Sequence, residues 1–226
     1  MKTIINTQKI KTLSASFFAL VLLSFMLTSC SKDKSNTSLS AYIKVTNSAQ
    51  GSQPQDFYLN NTMTSATSVS YGESSDFVTA STADKQGSFK TSGSGTVNAT
   101  FNLSLAAGKY YDVFYADDNS TTTAQDDRTA PQSGKARVRF INLSSAVQSN
   151  VDFGIDGGAK LVSAIGYKAA SAYYDVDPAS AFDLYLSGSS SALLSIPALL
   201  QAGHIYTIYV SGTSSASLSS HVIAEN

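Results

Sequence analysis

The sequence is poor in the residues that carry most enzyme chemistry. Its 226 residues include one cysteine, two histidines, four prolines and no tryptophan. One thiol excludes an internal disulfide and, with two histidines, makes a zinc site improbable. Nucleophilic catalysis needs a base beside a hydroxyl or thiol, and neither a Gly-x-Ser-x-Gly elbow nor a His-Glu-x-x-His motif occurs. We therefore predict that the protein is not an enzyme, and we assign no catalytic residue, metal ligand or cofactor.

Charged side chains are also scarce, at 14% of the sequence. Without residues 1–29, which carry three lysines and no acid, 12 basic residues stand against 16 acidic ones. A chain with net negative charge and no basic run is not expected to bind nucleic acid. Serine and threonine are abundant, with 12 tyrosines and 11 phenylalanines. This composition is typical of β proteins found outside the cytoplasm.

The first 29 residues have the pattern of an export signal. Lysines without acids precede an apolar segment of about 15 residues, 13–27, as in a secretory signal peptide. A membrane-spanning helix is the weaker alternative because it needs about 20 apolar residues.

The apolar segment ends in Leu27, Thr28, Ser29 and Cys30. These four residues resemble the lipobox of bacterial lipoproteins, in which an aliphatic and two small residues precede the lipidated cysteine. The resemblance implies cleavage before Cys30 and attachment of acyl chains such as palmitate to it. Each buried methylene contributes about 0.8 kcal/mol, so several acyl chains anchor a protein firmly to a membrane.

Residues 30–40 are polar and almost without apolar side chains, which predicts a flexible tether. Charged residues placed directly after the lipidated cysteine resemble surface-export signals of the Bacteroidetes. We expect a protein of the cell envelope held by its lipid, most simply at the outer membrane. The periplasmic and the surface-facing orientation both stay open.

The remaining sequence contains an internal repeat. Four blocks recur in the same order with an offset of 95 or 96 residues, which predicts two copies of one module. The matching blocks are 41–48 with 136–143, 56–60 with 152–156, 70–77 with 166–173, and 107–114 with 202–209.

Each block is predicted to be a strand. Residues 42–45 and 137–141 alternate like half-buried strands, and residues 205–210 are β-branched and aromatic throughout. In the strand from residue 136 this alternation predicts that Arg137 and Arg139 share a solvent-exposed face. Asn60-Asn61 and Asp156-Gly157-Gly158 are hairpin turn signals, and the Gly/Ser-rich residues 84–97 suggest a long hairpin loop. The expected fold class is all-β. Two tandem immunoglobulin-like or transthyretin-like β-sandwiches at 41–127 and 136–226 are predicted, joined by a short linker at 128–135 with limited hinge motion.

The segments 126–144, 151–153 and 202–209 resemble the DUF4397 family. That resemblance implies exported β-sandwich modules, often on lipoproteins of the Bacteroidetes. The family has no established general activity and offers no catalytic residues to transfer.

For the histidines and aspartates that could belong to a functional site, structural roles are the favoured interpretation. His204 stands where the first copy has Lys109, and His221 lies in a predicted final strand, so both are expected at the surface. Asp117-Asp118-Asn119 and Asp126-Asp127 could form a weak calcium site, but capping of turns is the favoured explanation. Aromatic side chains on outward strand positions could meet a sugar or a protein.

Two functions are compared. The preferred one is a non-catalytic binding or structural module with a glycan or an envelope protein as ligand. The alternative is a calcium-dependent hydrolase or transport accessory that uses the Asp clusters near the junction. Oligomeric state is not specified by the sequence.

Overall fold

The protein is built from β-strands. The structure, a computed structural model, describes residues 39–147 and 149–225. The predicted signal peptide, the lipobox with Cys30 and most of the tether lie outside these residues. In the described part no helix is long and apolar enough to cross a membrane, and one 3-10 turn at Ser215–Ser217 is its only helical element. The predicted all-β class is confirmed.

The first eight strands form two four-stranded sheets, together called the first module. Its inner sheet has the order β4-β1-β7-β8 and its outer sheet the order β3-β2-β5-β6. Strands β1 and β7 are parallel, and all other neighbours in the two sheets are antiparallel. The strands are β1 Ser40–Asn47, β2 Gln55–Leu59, β3 Thr62–Met63, β4 Val78–Ser81, β5 Gln86–Thr91, β6 Val97–Asn102, β7 Tyr110–Tyr115 and β8 Thr121–Asp126.

The next eight strands, the second module, repeat this arrangement. The inner sheet has the order β12-β9-β15-β16 and the outer sheet β11-β10-β13-β14, again with one parallel pair, β9 with β15. The sequence repeat therefore corresponds to a structural repeat. The strands are β9 Ala136–Asn142, β10 Val151–Ile155, β11 Lys160–Ile165, β12 Tyr174–Val176, β13 Phe182–Leu186, β14 Ala192–Ile196, β15 Ile205–Ser211 and β16 Ser219–Ala224.

The repeated polar residues hold the backbone of each module. Asp56 accepts a hydrogen bond from the Ser68 amide at 2.7 Å, and Asp152 accepts one from the Ala164 amide at 2.8 Å. Ser68 and Ala164 both have positive φ, a conformation that costs a non-glycine residue energy and needs such support. The aspartates recur because each fixes the same irregular turn.

Residues 84–97 do not form a long loop, so that prediction is wrong. Most of the segment is strand β5, which pairs with β2 and with β6, and only a tight turn separates β5 from β6. The glycines and serines at these positions did not predict a strand, because neither residue has high β-propensity.

Each module has its own apolar core between its two sheets. Phe57 and Phe89 lie in the first core, and Phe140 and Phe153 stack at 4.7 Å in the second. A third apolar cluster lies between the two inner sheets and draws on both modules. Its members are Phe114, Ile141, Leu143, Tyr209 and Ile223.

This third cluster corrects the expectation for the two arginines of β9. Arg139 is only 2% exposed, and the Arg137 side chain is 19% exposed. The alternation along β9 is real, but its second face packs against the other module instead of meeting water. Residues 38–226 accordingly form one compact unit.

Candidate functional site at the module interface

Two reciprocal sets of polar contacts join the inner sheets. Lys44 of β1 reaches the end of β16, where its ammonium lies 3.0 Å from the Glu225 carboxylate and donates to the Ala224 carbonyl at 2.7 Å. Arg139 of β9 makes the equivalent contacts at the end of β8, to the Asp126 carboxylate at 3.3 Å and the Gln125 carbonyl at 3.1 Å.

These residues occupy equivalent places in the two modules. Lys44 and Arg139 are 95 residues apart, and each also lies near an aromatic ring of its own module, Phe77 or Tyr173. Near the centre, Phe114 meets its own counterpart Tyr209 with ring centroids 5.7 Å apart. The two modules thus pack like the halves of an isologous dimer.

Three fully buried carboxylates meet beside these contacts, and we call them the carboxylate trio: Asp112, Asp126 and Glu225. Each offers an oxygen within 4.8 Å of the others. Lys44, Arg139 and Arg128 lie against them. Lys44 and Arg139 are already enclosed against these oxygens and Arg128 lies at the edge of the site, so a divalent cation would have to lie close to like charges. The donor set therefore does not favour a metal.

An open polar cleft of about 500 Å³, here called the junction groove, runs beside this interface. One wall is the edge strand β8, with Thr122, Thr123 and Gln125. The other wall is the segment 168–173, and β9 contributes Arg137. A cleft of about 660 Å³ near Met63 is larger, but it belongs to the first module alone.

The cationic side chains of the junction groove are already paired. The Arg137 guanidinium donates to Asp127 at 2.6 Å, and the Lys168 ammonium donates to Asp118 at 2.7 Å. Hydrogen bonds from Thr129, assisted by Arg137, lower the pKa of Asp127. Burial raises the pKa of Asp118, but hydrogen bonds from Lys168 and Ser120 outweigh it and the pKa falls. Both carboxylates are therefore ionised at neutral pH, and the groove presents hydroxyls, an amide and neutralised ion pairs.

The equivalent position on the other side of the interface is filled. Thr122 of β8 lies opposite Phe114 of β7, and His221 of β16 lies opposite Tyr209 of β15, so Thr122 and His221 occupy equivalent positions. The His221 ring stacks on Tyr209 at a centroid distance of 4.6 Å and meets the edge of Tyr71 at 5.5 Å. We call this side the His221 plug.

The backbone at Gly72 lies directly against the His221 ring. A Cβ on Gly72 would lie 3.0 Å from the His221 ring, and Gly72 also has a φ of +83°. The second module has Lys168 at the matching position, where Thr122 donates to the Lys168 carbonyl at 3.1 Å. A small side chain at residue 122 therefore leaves the groove open, and a large ring at residue 221 closes its counterpart.

The sequence predicted His221 as a surface residue; it is only partly exposed, and its ring packs on Tyr71 and Tyr209. Its Nε2 lies 3.1 Å from the Ser211 hydroxyl and 3.2 Å from the Ser219 hydroxyl, and burial lowers its pKa. A serine–histidine pair is the beginning of a nucleophilic site. However, Ser211 is fully buried, and no carboxylate among the described residues contacts the His221 ring. The arrangement fits packing better than catalysis. His204 lies in a partly exposed turn just before β15.

The acidic candidates have different surroundings, and Asp117 accepts hydrogen bonds from the Gln50 amide at 2.6 Å and the Ser145 hydroxyl at 3.1 Å. Asp118 and Asp127 accept hydrogen bonds from residues two positions later, Ser120 and Thr129, which is the predicted capping of turns. Asp126 instead lies in the buried carboxylate trio. No sequence pattern indicates Asp112, Glu225 or the role of Arg139, because a pairing between distant strands leaves no local signal.

Comparisons with known proteins give a family match and little else. A family model described as Domain of unknown function (DUF4397) matches residues 41–149, which span the first module and strand β9. No curated protein matches the chain. Among solved structures, the chain is similar to the C-terminal domain of AlgF from P. aeruginosa, with 23% identity and a TM-score of 0.32. That similarity covers 41% of this chain and 99% of the AlgF domain.

Proposed function

We propose that this chain is a non-catalytic binding protein of the cell envelope, anchored by lipid on Cys30 and built from two DUF4397-type modules. The lipobox resemblance at residues 27–30 and the family match at 41–149 support this proposal. The Bacteroidetes type of lipoprotein is part of this proposal, because the DUF4397 resemblance and the charged residues directly after Cys30 both point to it.

The junction groove is the proposed binding site. The observation that carries this assignment is the contrast between its two equivalent positions: the interface is filled at His221 and open at Thr122. The open cleft is lined by side chains of both modules, whereas at the counterpart position the His221 ring packs on Tyr209 and Tyr71. A rigid cleft with few convergent polar groups is also the usual form of a ligand site.

The groove favours an uncharged, hydroxyl-rich ligand. Thr122, Thr123 and Ser171 offer hydroxyls, and Gln125 offers an amide. The neighbouring cations are held by Asp118 and Asp127, so an anionic ligand would have to displace a bound carboxylate. A neutral glycan segment meets these requirements, and a polar envelope protein is the second possibility.

A glycan array tests this assignment. We expect the purified wild-type protein to bind neutral glycans and the Thr122→His variant, which copies the plug, to lose at least tenfold in affinity. Thr100→His, on the exposed face of β6, is the matched control and should bind normally. Equal binding by the Thr122→His variant would remove the groove from the proposal, and binding only to proteins would redirect the ligand class.

Membrane anchoring has its own test. Cells fed labelled palmitate should incorporate label into the wild-type protein and not into Cys30→Ala, which should appear in the soluble fraction. Protease treatment of intact cells then distinguishes the two orientations: digestion of the second module indicates the cell surface, and protection until the outer membrane is opened indicates the periplasm. Labelling of Cys30→Ala would contradict the lipid assignment.

The alternative, a calcium-dependent hydrolase or transport accessory, gains little from the geometry. Of the acidic side chains near the junction, those of the carboxylate trio are fully buried, and the partly exposed Asp118 and Asp127 are paired with Lys168 and Arg137. A substrate could not reach the carboxylate trio without separating the two modules. Hydrolysis of a polysaccharide by the purified protein, lost on substitution of one carboxylate, would nevertheless replace the binding proposal.

A further inference from the structure

The carboxylate trio contains oxygens that no donor satisfies. Asp112 Oδ1 and Glu225 Oε1 are buried with neither a hydrogen bond nor an ion pair, whereas Glu225 Oε2 and Asp126 Oδ2 make no hydrogen bond but lie 3.0 Å from Lys44 and 3.5 Å from Arg128. Buried polar atoms are nearly always paired, so such a group calls for an explanation. Carboxylate oxygens that lie this close together repel each other when all three groups are ionised.

Asp112 is the residue that breaks the reciprocal pattern. Lys44 lies opposite Asp112 in the pairing of β1 with β7, and Arg139 lies opposite Thr207 in the pairing of β9 with β15. The positive charges of Lys44 and Arg139 are already neutralised by Glu225 and Asp126, so the charge of Asp112 is additional. Arg128 is 31% exposed at its side chain and lies 3.5 Å from Asp126. The fully enclosed part of the interface therefore holds one acid more than it holds cations.

We propose that the carboxylate trio binds one shared proton, and that this proton strengthens the packing of the two modules as the pH falls. A proton on one carboxyl group lets it donate to a neighbouring carboxylate, which satisfies two orphan oxygens and removes the surplus charge. The proton belongs to the coupled group and not to a single residue.

The cations packed against the trio are Lys44 from β1, Arg139 from β9 and Arg128 after β8. An ammonium or guanidinium group cannot take up a further proton. Tyr173, which donates to Asp126, stays neutral because burial raises the pKa of its hydroxyl. The three carboxyl groups are thus the groups at this contact that can take up the shared proton as the pH falls.

The direction of the effect follows from the environment of Asp112. Burial, and then the negative charge of Glu225, raise the pKa of Asp112 well above its usual value, against the attraction of Arg139. An acid with a raised pKa in the folded state binds its proton more tightly there than in the unfolded chain. The folded state is therefore favoured below the unfolded pKa of about 3.9, and this advantage is lost as the pH rises through the folded pKa.

Thermal unfolding of the full protein between pH 4 and 8 tests the shared proton. Asp112→Asn keeps the shape of the neutral acid, and Asp112→Thr copies Thr207. At pH 7.5 we expect Asp112→Asn to melt above the wild type by about 2–4 °C, and the difference should vanish towards pH 4. The control is Asp183→Asn, because Asp183 is a buried carboxylate in β13 that accepts a hydrogen bond from Ser195. The difference in melting temperature between this variant and the wild type should not vanish towards pH 4. A difference for Asp112→Asn that does not change with pH would overturn the proposal.

Two further readouts keep the test decisive. Carbon-13 NMR of the wild-type carboxyl groups should show a titration midpoint well above that of an ordinary aspartate, and it does not depend on a variant that folds. If all carboxyl groups titrate below pH 5, no proton is shared. If millimolar calcium raises the wild-type melting temperature at pH 7.5 but not that of Asp112→Asn, the trio holds a cation instead and the proposal fails.

Discussion

The two modules have the same strand order but use their inner sheets differently. In the first module, β7 carries Asp112 and β8 carries Thr122; in the second, the equivalent positions hold Thr207 and His221. The first module thus contributes the surplus buried acid and the open groove, whereas the second contributes the neutral hydroxyl and the plug. The comparison indicates that the repeated residues maintain the fold, and that the residues that differ between the copies are the better candidates for function.

The largest expected loss of stability comes from replacing Arg139, one of the two arginines of β9. Arg139→Ala would leave Asp112 and Asp126 buried without their cation and should lower the free energy of unfolding by about 3–5 kcal/mol. Arg137→Ala, two residues away, removes partly exposed ion pairs with Asp127 and Asp175 and should cost about 1 kcal/mol. Urea denaturation at pH 7 measures both. Equal losses for the two variants would contradict the assignment of Arg139 to a buried interface.

Asp152 and its counterpart Asp56 should contribute different amounts to the free energy of unfolding. Asp152 accepts from Lys160, Ser187, Ala164 and Gly188, so Asp152→Asn should cost about 2 kcal/mol. Asp56→Asn, where the Ser68 amide is the donor, should cost about 1 kcal/mol.

The pH dependence of Asp152 is opposite in sign to that of Asp112. Burial raises the pKa of Asp152, but the hydrogen bonds from Lys160 and Ser187 outweigh it and hold the pKa well below its usual value. Its contribution is present above the unfolded pKa of about 3.9 and is lost as the pH falls through the folded pKa. Asp152→Asn should therefore approach wild-type stability in acid, as urea titrations at pH 7 and pH 2–3 would show.

The plug offers a third comparison. His221→Thr copies Thr122, removes a ring that packs on Tyr71 and Tyr209, and should cost about 1–2 kcal/mol. A crystal structure of this variant should show a second open groove. A sealed surface there would mean that side-chain size at this position does not decide which groove is open.

The smallest effect is expected at Tyr209. Its hydroxyl is buried without a hydrogen-bond partner, and burial raises its pKa. Tyr209→Phe copies Phe114 and removes the unsatisfied group, so we expect a gain of about 1 kcal/mol. A loss of stability, measured by the same denaturation, would indicate a partner for the hydroxyl that the structure does not contain.

The sequence predicted the strands and turns better than it predicted the interface. Alternation and the 95-residue repeat identified the strands, and the Asn60-Asn61 and Asp156–Gly158 turns form as expected. The same alternation misplaced Arg139, because a period of two separates two faces of a strand without saying what covers each face.

One signal for the interface was present in the sequence. Ile205–Val210 has large apolar or β-branched side chains on both faces, which is the pattern of a strand buried on both sides, and all of Ile205–Ser211 is buried. That pattern predicts a covering layer for the outward face of β15. The pairing of Arg139 with Asp112 and the open groove depend on contacts between distant strands, and no local pattern encodes them.

The central claim is that the two modules form one body through their inner sheets, and differential scanning calorimetry tests it most directly. The buried apolar cluster and the carboxylate trio should make the protein unfold in one transition, with the calorimetric and van't Hoff enthalpies equal. Arg139→Ala should lower the temperature of that transition. Two resolved transitions in the wild-type protein, each insensitive to substitutions in the other module, would contradict the account.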